Sequence, residues 1–290
     1  MIAAAQGGRK VLARTSTRDA VFAANRAESR IALAVRADGD GGGSRRARVH
    51  EAGALRVRFP NCEDKDVLEA VIVNTAGGMT GGDCFALDIA LSAGARLTVT
   101  TAAAEKVYRS LGPNSDIGVT LKVGAGAALA WLPQETIMFE GARIRRTIDV
   151  ELERGGSLLL AEAVVFGRAA MGEVVRNGTF FDCWRVRVDG ALVFAETARL
   201  DGDIAQHLAR RAIAGGGIAL ASVLKVAGDD AAVAAVRAVA EDCAGEMGVS
   251  AWNGLMLARL VAADGAALRR DLIGVLSALA DMPLPRLWLN

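Results

Sequence analysis

One short loop concentrates residues that could bind a ligand or a partner. The loop Gly77–Asp83 contains four glycines, which are Gly77, Gly78, Gly81 and Gly82. Glycines at this density indicate positive φ angles or a backbone that another surface approaches closely. Clustered glycines also expose backbone N–H groups that can hold a phosphate. No Lys-Ser/Thr pair follows, and the next residues alternate as a strand, so a tight turn or a partner contact is favoured over a nucleotide site.

A polar cluster follows the next predicted strand and comprises Lys106, Tyr108, Arg109 and Ser110. A catalytic Tyr–Lys pair on a helix needs a spacing of three or four residues, whereas Lys106 and Tyr108 are two apart. On a strand these two side chains share one face, and Arg109 lies on the other. The pattern favours a polar strand edge or the rim of an interface.

Two carboxylates, Glu135 and Glu140, stand where a predicted loop meets a strand. Three others stand in strongly apolar surroundings, where carboxylates are rare unless they are paired or functional, namely Glu162, Glu173 and Glu196. Basic residues are close in sequence, namely Arg143, Arg145, Arg146 and Arg168. The sequence therefore predicts structural ion pairs for most of these carboxylates.

Composition argues against several other functions. The chain has 34 Lys and Arg against 33 Asp and Glu, so it offers no strongly basic surface for nucleic acid. The apolar run Ala212–Leu224 is too short to span a bilayer. The two histidines and four cysteines show no metal-ligand spacing, and no hydrolase motif occurs. Widely separated cysteines and the lack of a signal-peptide core predict a reduced, cytoplasmic protein.

The strands that must position these groups repeat along the chain. Leu91, Leu121 and Leu152 each begin a unit of strand, glycine turn and strand. These leucines are 30 and 31 residues apart. Such a nearly constant spacing is typical of stacked units that bury one face only against their neighbours. A weaker fourth unit contains Asp189-Gly190 between apolar runs, which is a strong hairpin signal. The sequence predicts a mainly β fold with a stacked, solenoid-like, layered sheet architecture.

The last third of the chain predicts two α-helices. Asp229 and Asp230 precede an alanine-rich segment without interior Gly or Pro, which predicts a helix over residues 230–244. Asp264 is the predicted cap of a second helix. Four leucines form one apolar face of that helix, namely Leu268, Leu272, Leu276 and Leu279.

Several ordered blocks of the chain resemble the UreD (also called UreH) family of urease accessory proteins. The first is the glycine loop with the later segment LTVTTAAAEKVYRS, residues 97–110. The others are Leu-Pro-Gln-Glu with Gln134 and Glu135, the Phe-Gly-Arg block with Gly167, Arg168 and Glu173, Arg-Leu-Asp-Gly over 199–202, and LPRLW over 284–288. The resemblance covers the chain from about residue 45 to the end.

The resemblance implies a function that composition did not show. UreD proteins are scaffolds, not enzymes, in the maturation of urease, a nickel enzyme. They bind apo-urease and UreF, which recruits the GTPase UreG, in a dimeric accessory complex. Nickel passes through a channel in UreF and UreD, so the family implies transient nickel and no tightly bound cofactor. A disordered tail over residues 1–20 and one UreD-like domain over residues 21–290 are expected.

A nickel channel needs weak, exchangeable oxygen and nitrogen ligands, because a thiolate site would trap the ion. The candidates for lining residues are Asp83, Glu135, Glu140 and Glu162. Partner contacts are expected on the C-terminal helices, above all the predicted helix 230–244, and on the strand edge Tyr108–Ser110. The other motif residues named above, from Gly77 to Glu173, are further candidates for family-specific or partner contacts.

Two alternatives stay open at this point. One is an enzyme for a small molecule that uses the glycine loop together with Lys106, Tyr108 and Glu135. The other is a β-repeat adaptor that binds partners without any role for a metal.

Overall fold

The computed structural model describes residues 25–39, 43–62 and 64–289, so the tail predicted over residues 1–20 lies outside the described residues. These residues are mainly β, as the repeats predicted. The strands are β1 (Glu28–Ala37), β2 (Ser44–Ala52), β3 (Leu55–Arg58), β4 (Leu68–Asn74), β5 (Cys84–Leu91), β6 (Arg96–Thr101), β7 (Glu105–Val107), β8 (Ser115–Val123), β9 (Ala128–Leu132), β10 (Thr136–Met138), β11 (Arg143–Leu152), β12 (Ser157–Phe166), β13 (Asn177–Val188), β14 (Ala191–Asp203), β15 (Ala219–Val226), β16 (Glu246–Trp252) and β17 (Leu255–Ala262). The α-helices are α1 (Ile204–Leu208), α2 (Asp230–Ala240), α3 (Gly265–Leu279) and α4 (Arg286–Leu289).

The strands form two sheets that share a core. The seven-stranded sheet has the order β14-β13-β11-β8-β5-β1-β2. The ten-stranded sheet has the order β16-β17-β15-β12-β9-β6-β4-β3, with β10 beside β12 and β7 beside β10. Inward-facing side chains from both sheets pack together, such as Leu87 and Ile148 from one and Leu97 and Trp131 from the other. Each sheet thus buries its apolar face against its counterpart.

The three predicted repeat units are successive coils of a solenoid, formed by β5–β6, β8–β9 and β11–β12. The first strands of the units lie parallel in the seven-stranded sheet, and the second strands lie parallel in the ten-stranded sheet. Leu97, Leu129 and Leu158, one from each second strand, are in register. The stacked architecture is therefore confirmed.

The leading leucines of the repeat are not all in register. Leu91 and Leu152 both pair with Val123, so Leu121 is displaced by two residues. The longer glycine turn of the second unit accounts for this shift. Because side chains alternate along a strand, a two-residue shift keeps Leu121 on the core face, where it is fully buried.

Both predicted helices are present, and they cover the outer face of the ten-stranded sheet. Val236 of α2 and Leu272 of α3 pack against outward residues of the sheet such as Ala221 and Ala258. The carboxylates of Asp229 and Asp264 cap the two helices, as predicted. The short helices α1 and α4 were not predicted, because elements of four or five residues carry too little periodicity. Among the described residues, no helix combines the length and apolarity needed to cross a membrane.

The prediction that the first helix continues to residue 244 is wrong, since α2 ends at Ala240. The Asp271 carboxylate of α3 accepts hydrogen bonds from the backbone N–H groups of Ala244 (3.1 Å) and Gly245 (2.9 Å). This contact from a distant part of the chain directs the backbone into β16 instead of a further helical turn.

The predicted Asp-Gly hairpin joins β13 to β14 as antiparallel neighbours. Asp189 and Gly190 both have positive φ, at 49° and 81°. Two positive φ angles match the twist of the flanking strands, which is why Asp-Gly favours this turn.

Candidate functional site

The glycine loop is tightly packed against the polar cluster that follows it in sequence. A Cβ atom on Gly78 would meet the ring of Tyr108 and lie 2.8 Å from the carbonyl oxygen of Lys106. A Cβ atom on Gly81 would meet the hydroxyl of Ser110. Gly77 and Gly82 have positive φ angles of 76° and 94°. Both reasons for clustered glycines, positive φ and close approach, therefore hold here.

Hydrogen bonds inside the chain engage several polar groups of this loop. The Met79 N–H donates to the Lys106 carbonyl oxygen (2.7 Å), and the Gly82 N–H donates to that of Asn114 (2.8 Å). The buried carboxylate of Asp83 accepts hydrogen bonds from the backbone N–H groups of Ala27 (2.9 Å) and Thr80 (2.8 Å). Asp83 therefore stabilises the loop.

The three residues of the enzyme alternative have separate partners. The Tyr108 hydroxyl donates to the Gly77 carbonyl oxygen (3.1 Å), and the Lys106 side chain is exposed. The Glu135 carboxylate accepts a hydrogen bond from Arg269 (3.3 Å). The structure therefore does not assemble Lys106, Tyr108 and Glu135 into a reactive group.

Gln134 and Glu135 connect the middle of the chain to its C-terminal segment. Arg269 of α3 donates hydrogen bonds to both side chains, and it also donates to the Leu287 carbonyl oxygen (2.8 Å). The guanidinium lies over the Trp288 ring, 5.0 Å from its centroid. The indole N–H of Trp288 in turn donates to the Leu132 carbonyl oxygen (2.9 Å). These residues thus hold α4 against the ten-stranded sheet.

A second group of motif residues forms an ion-pair network near the start of β13. Arg168 donates two hydrogen bonds to Glu173 (2.8 and 3.0 Å), which lower the pKa of Glu173 to about 2. The Glu140 carboxylate accepts hydrogen bonds from the backbone N–H groups of Arg176 (2.6 Å) and Asn177 (3.2 Å). Gly167 has φ of 90° and a would-be Cβ 2.5 Å from the Glu173 carbonyl oxygen. Glu140 therefore has a structural role in this loop.

A cluster of charged side chains lies buried between the two sheets. Arg146 of β11 donates to Asp182 of β13 (3.0 and 2.6 Å) and to Glu162 of β12. The indole N–H of Trp131 donates to Glu162 (2.9 Å), and that of Trp184 donates to Asp182 (3.0 Å). The three charged residues are only 4–8% exposed. Arg146 and Asp182 are direct partners in the β11–β13 register, so the sheet itself brings them together.

The polar groups continue from this cluster toward the glycine loop. Thr136 of β10 lies 3.5 Å from the Arg146 guanidinium and pairs in register with Glu105 of β7. The Glu105 carboxylate accepts hydrogen bonds from the amide of Asn74 (3.0 and 3.1 Å). We call this series the polar belt, and it consists of Asn74, Glu105, Thr136, Arg146, Glu162 and Asp182. The belt crosses the shared interior of the sheets from one coil to the next.

The belt carries excess negative charge at high pH, since it has three carboxylates and one guanidinium. Burial raises the pKa of Glu105 to about 7, and the hydrogen bond from Asn74 offsets this only in part. Burial also raises the pKa of Glu162 to about 7, although the Arg146 guanidinium opposes the shift. Both groups therefore titrate near neutral pH.

A cavity of about 90 Å³ adjoins the belt. Arg146, Glu162 and Asp182 line it, and so does Glu196 of β14. Glu196 forms an ion pair with Arg259 (2.7 Å), and its side chain is 25% exposed. The cavity thus connects the buried charges to a partly exposed carboxylate. Among the described residues, no group of three His, Cys, Asp or Glu side chains is arranged to hold a metal ion.

Of the four predicted channel residues, Glu162 lies in the polar belt, whereas Asp83, Glu135 and Glu140 have structural partners elsewhere. Glu105 and Asp182 belong to the belt but were not proposed as channel residues from the sequence. A signal for Asp182 existed, because it occupies an apolar-face position between Phe180 and Trp184 on an alternating strand. Of the four arginines predicted to pair with these carboxylates, Arg146 and Arg168 do so. Arg145 pairs with Asp116 instead, and Arg143 forms no ion pair among the described residues.

Comparison with known proteins agrees with the resemblance described above. A family profile described as UreD urease accessory protein matches residues 27–289. The chain is 54% identical over 281 residues to the urease accessory protein UreD of Rhodopseudomonas palustris strain HaA2, covering 97% of this chain and 100% of the relative. It is 53% identical over 275 residues to the UreD protein of Bradyrhizobium diazoefficiens, covering 95% and 98% of the two chains. These relatives are named as accessory proteins rather than enzymes, in agreement with the predicted absence of catalysis. The chain belongs to the UreD family of urease accessory proteins.

Proposed function

We propose that this protein acts in urease maturation as a scaffold that binds apo-urease together with UreF and UreG and lets nickel pass toward the urease active site. Nickel is the cargo here and not a resident cofactor. A dimeric accessory complex in the cytoplasm is part of the same proposal. Family membership supports the maturation role, and the polar belt supports the passage of a cation.

The observation that carries the nickel part of the proposal is the row of carboxylates inside the sheet sandwich. An interior of this kind is normally apolar, and a buried carboxylate is costly unless it is paired or functional. Glu105 has an amide partner but no basic side chain within hydrogen-bonding distance among the described residues. Carboxylate oxygens bind Ni²⁺ more weakly than thiolates do, so they release it more readily.

The residues of the belt have different roles in the proposed passage of nickel. Glu162 and Asp182 provide oxygen ligands, and Arg146 holds them in place when no cation is bound. Trp131 and Trp184 fix the carboxylates from the apolar side. Entry of a divalent cation would compete with Arg146 for the same oxygen atoms, which keeps binding reversible.

The test is to measure nickel bound per urease after co-expression of the accessory proteins with a Glu162→Gln variant. The variant keeps the shape of the side chain and can still accept a hydrogen bond from Trp131, but it removes the charge. We expect the complex with apo-urease to persist and the nickel content of urease to fall. Glu151→Gln is the matched control, because Glu151 lies on the exposed side of β11.

Two outcomes would contradict the proposal in different ways. Normal nickel loading by Glu162→Gln would remove Glu162 from the passage and favour an adaptor without a role for metal. Failure of the wild-type chain to bind apo-urease, UreF or UreG would contradict the scaffold itself.

A further inference from the structure

Four connections between the sheets meet at one corner of the solenoid, comprising residues 75–83, 108–114, 139–142 and 167–176. We call these residues the loop corner. The Ser110 N–H donates to the Gly141 carbonyl oxygen (3.0 Å), and the Gly141 N–H donates to that of Asn177 (2.8 Å). The Phe139 and Tyr108 rings pack at nearly a right angle with their centroids 5.1 Å apart, and the Arg168 guanidinium lies 4.3 Å from the Phe139 centroid. The connections therefore form one continuous and internally braced surface.

The loop corner exposes an unusual amount of apolar surface. Within these loops Leu111 is 90% exposed, Met171 is 72% exposed, Val174 is 45% exposed and Tyr108 is 40% exposed. These four make up nearly half of the large apolar side chains that are exposed in the described part of the chain. Several exposed apolar side chains on one braced surface are typical of a protein–protein contact, whereas isolated exposed side chains need no explanation.

The charges around the apolar residues are mainly positive. Arg109 and Arg176 of the corner are exposed, and so is Lys106 on the adjoining strand β7; among the described residues none of the three forms an ion pair. The nearby carboxylates of Glu140 and Glu173 are already engaged by backbone N–H groups and by Arg168. A partner at this corner therefore meets apolar side chains and three unpaired cations.

We propose that the loop corner docks an acidic segment of a partner protein, with an apolar side chain seated beside Leu111 and Met171 and carboxylates facing Lys106, Arg109 and Arg176. This inference rests on the proposed scaffold function and names the chemistry of one partner contact. A protein is favoured over a lipid surface because the corner is braced by hydrogen bonds and by close glycine packing, which fix its shape.

The test uses the full chain and two separate probes, UreF and apo-urease from the same source. Leu111→Asp and Arg109→Glu should each weaken the binding of one probe by about tenfold, as expected for a central apolar residue and for an interfacial charge. Arg109→Lys should keep most of the affinity because it keeps the charge. Added salt should weaken wild-type binding more than binding by Arg109→Glu.

The matched control is Leu192→Asp, because Leu192 is also exposed (53%) but lies near the opposite end of the β13–β14 hairpin. That position is roughly 35 Å from Arg176 along the strand. This variant should bind both probes as wild type does. Thermal unfolding of every variant shows whether a loss of binding reflects loss of the fold.

Three results would overturn the inference. Unchanged binding of both probes by Leu111→Asp and Arg109→Glu would remove the loop corner as a docking site while the scaffold function stands. Binding of phosphatidylserine vesicles that Arg109→Glu abolishes, without any change in protein binding, would assign the corner to a membrane surface. Failure of the wild-type chain to bind either probe would overturn the scaffold proposal and this inference with it.

Discussion

Replacing Arg146 by methionine tests whether the buried charges hold the two sheets together. Arg146 is 4% exposed and donates hydrogen bonds to Asp182, Glu162 and Thr136. In Arg146→Met the methionine side chain fills most of the volume of the arginine, but the buried carboxylates of Glu162 and Asp182 lose the only cation in the belt. Removing one partner of a buried ion pair costs about 3–5 kcal/mol, because an uncompensated charge is left behind. For a chain of this size we expect the melting temperature to fall by about 10 °C.

The pH dependence of this loss follows from the direction of the pKa shift. Burial raises the pKa of Glu162 from 4.5 to about 7, so this group makes the folded state less stable as pH rises through that interval. Without Arg146 only the hydrogen bond from Trp131 opposes the effect of burial, and the pKa of Glu162 rises further. The difference between wild type and Arg146→Met should therefore be small near pH 4.5 and largest above pH 7.

Equilibrium unfolding in denaturant, measured at several pH values, gives the free energy of unfolding of each variant and its dependence on pH. Arg145→Met is the matched control, since Arg145 is the next residue on the strand but its side chain is 57% exposed beside Asp116. That change should cost less than about 1 kcal/mol. Adding Glu162→Gln and Asp182→Asn to Arg146→Met should restore part of the stability. If Arg146→Met loses no more stability than Arg145→Met does, or if its loss of stability is independent of pH, the reasoning is refuted.

Three other predictions concern single positions. Burial raises the pKa of Glu105 from 4.5 to about 7, so Glu105→Gln should be more stable than wild type by roughly 3 kcal/mol at pH 8 and equal to it near pH 4.5; parallel stability curves would contradict this. Gly81→Ala should cost about 2 kcal/mol or more because its Cβ would lie 2.6 Å from the Pro113 carbonyl oxygen. Gly77→Ala should cost only about 1 kcal/mol, because the space around Gly77 is open and only its φ angle is unfavourable. If Gly77→Ala unfolds at a lower temperature than Gly81→Ala, close packing at Gly81 is contradicted. Asp83→Ala leaves two backbone N–H groups without their acceptor and should lower the free energy of unfolding by about 2–4 kcal/mol. Urease isolated in complex with folded Asp83→Ala should still contain its normal nickel, and a specific loss of nickel would place Asp83 in the passage.

The β strands and the two longer helices were predictable because their signals are local. Alternation along strands such as β5 and the glycine turns between them reflect which side chains must face the core. The caps Asp229 and Asp264 mark helix starts by hydrogen bonds over three residues. The three-residue strands β7 and β10 carry no such pattern, and only their pairing with each other and with β12 makes them strands.

The candidate site was predictable only in part. Glu162 was marked as unusual by its apolar neighbours, and the glycine loop by its composition. The sequence could not separate Glu162 from Asp83, Glu135 and Glu140, because all four are carboxylates within the motif blocks that resemble the family. Hydrogen-bond partners decide between them, and those partners are as much as 134 residues away in sequence, as for Glu135 and Arg269.

By itself, the sequence determined the stacked β architecture, its helical cover and its membership in the UreD family, since repeats, caps and motif blocks are carried by neighbouring residues. Only the tertiary structure decided that a polar belt crosses the interior. Arg146 and Asp182 are 36 residues apart and become neighbours through the register of two parallel strands. Glu162 reaches them from the opposite sheet. Long-range strand pairing and the packing of two layers have no local sequence signal, and they are the physical reason why the belt emerges only in the folded chain.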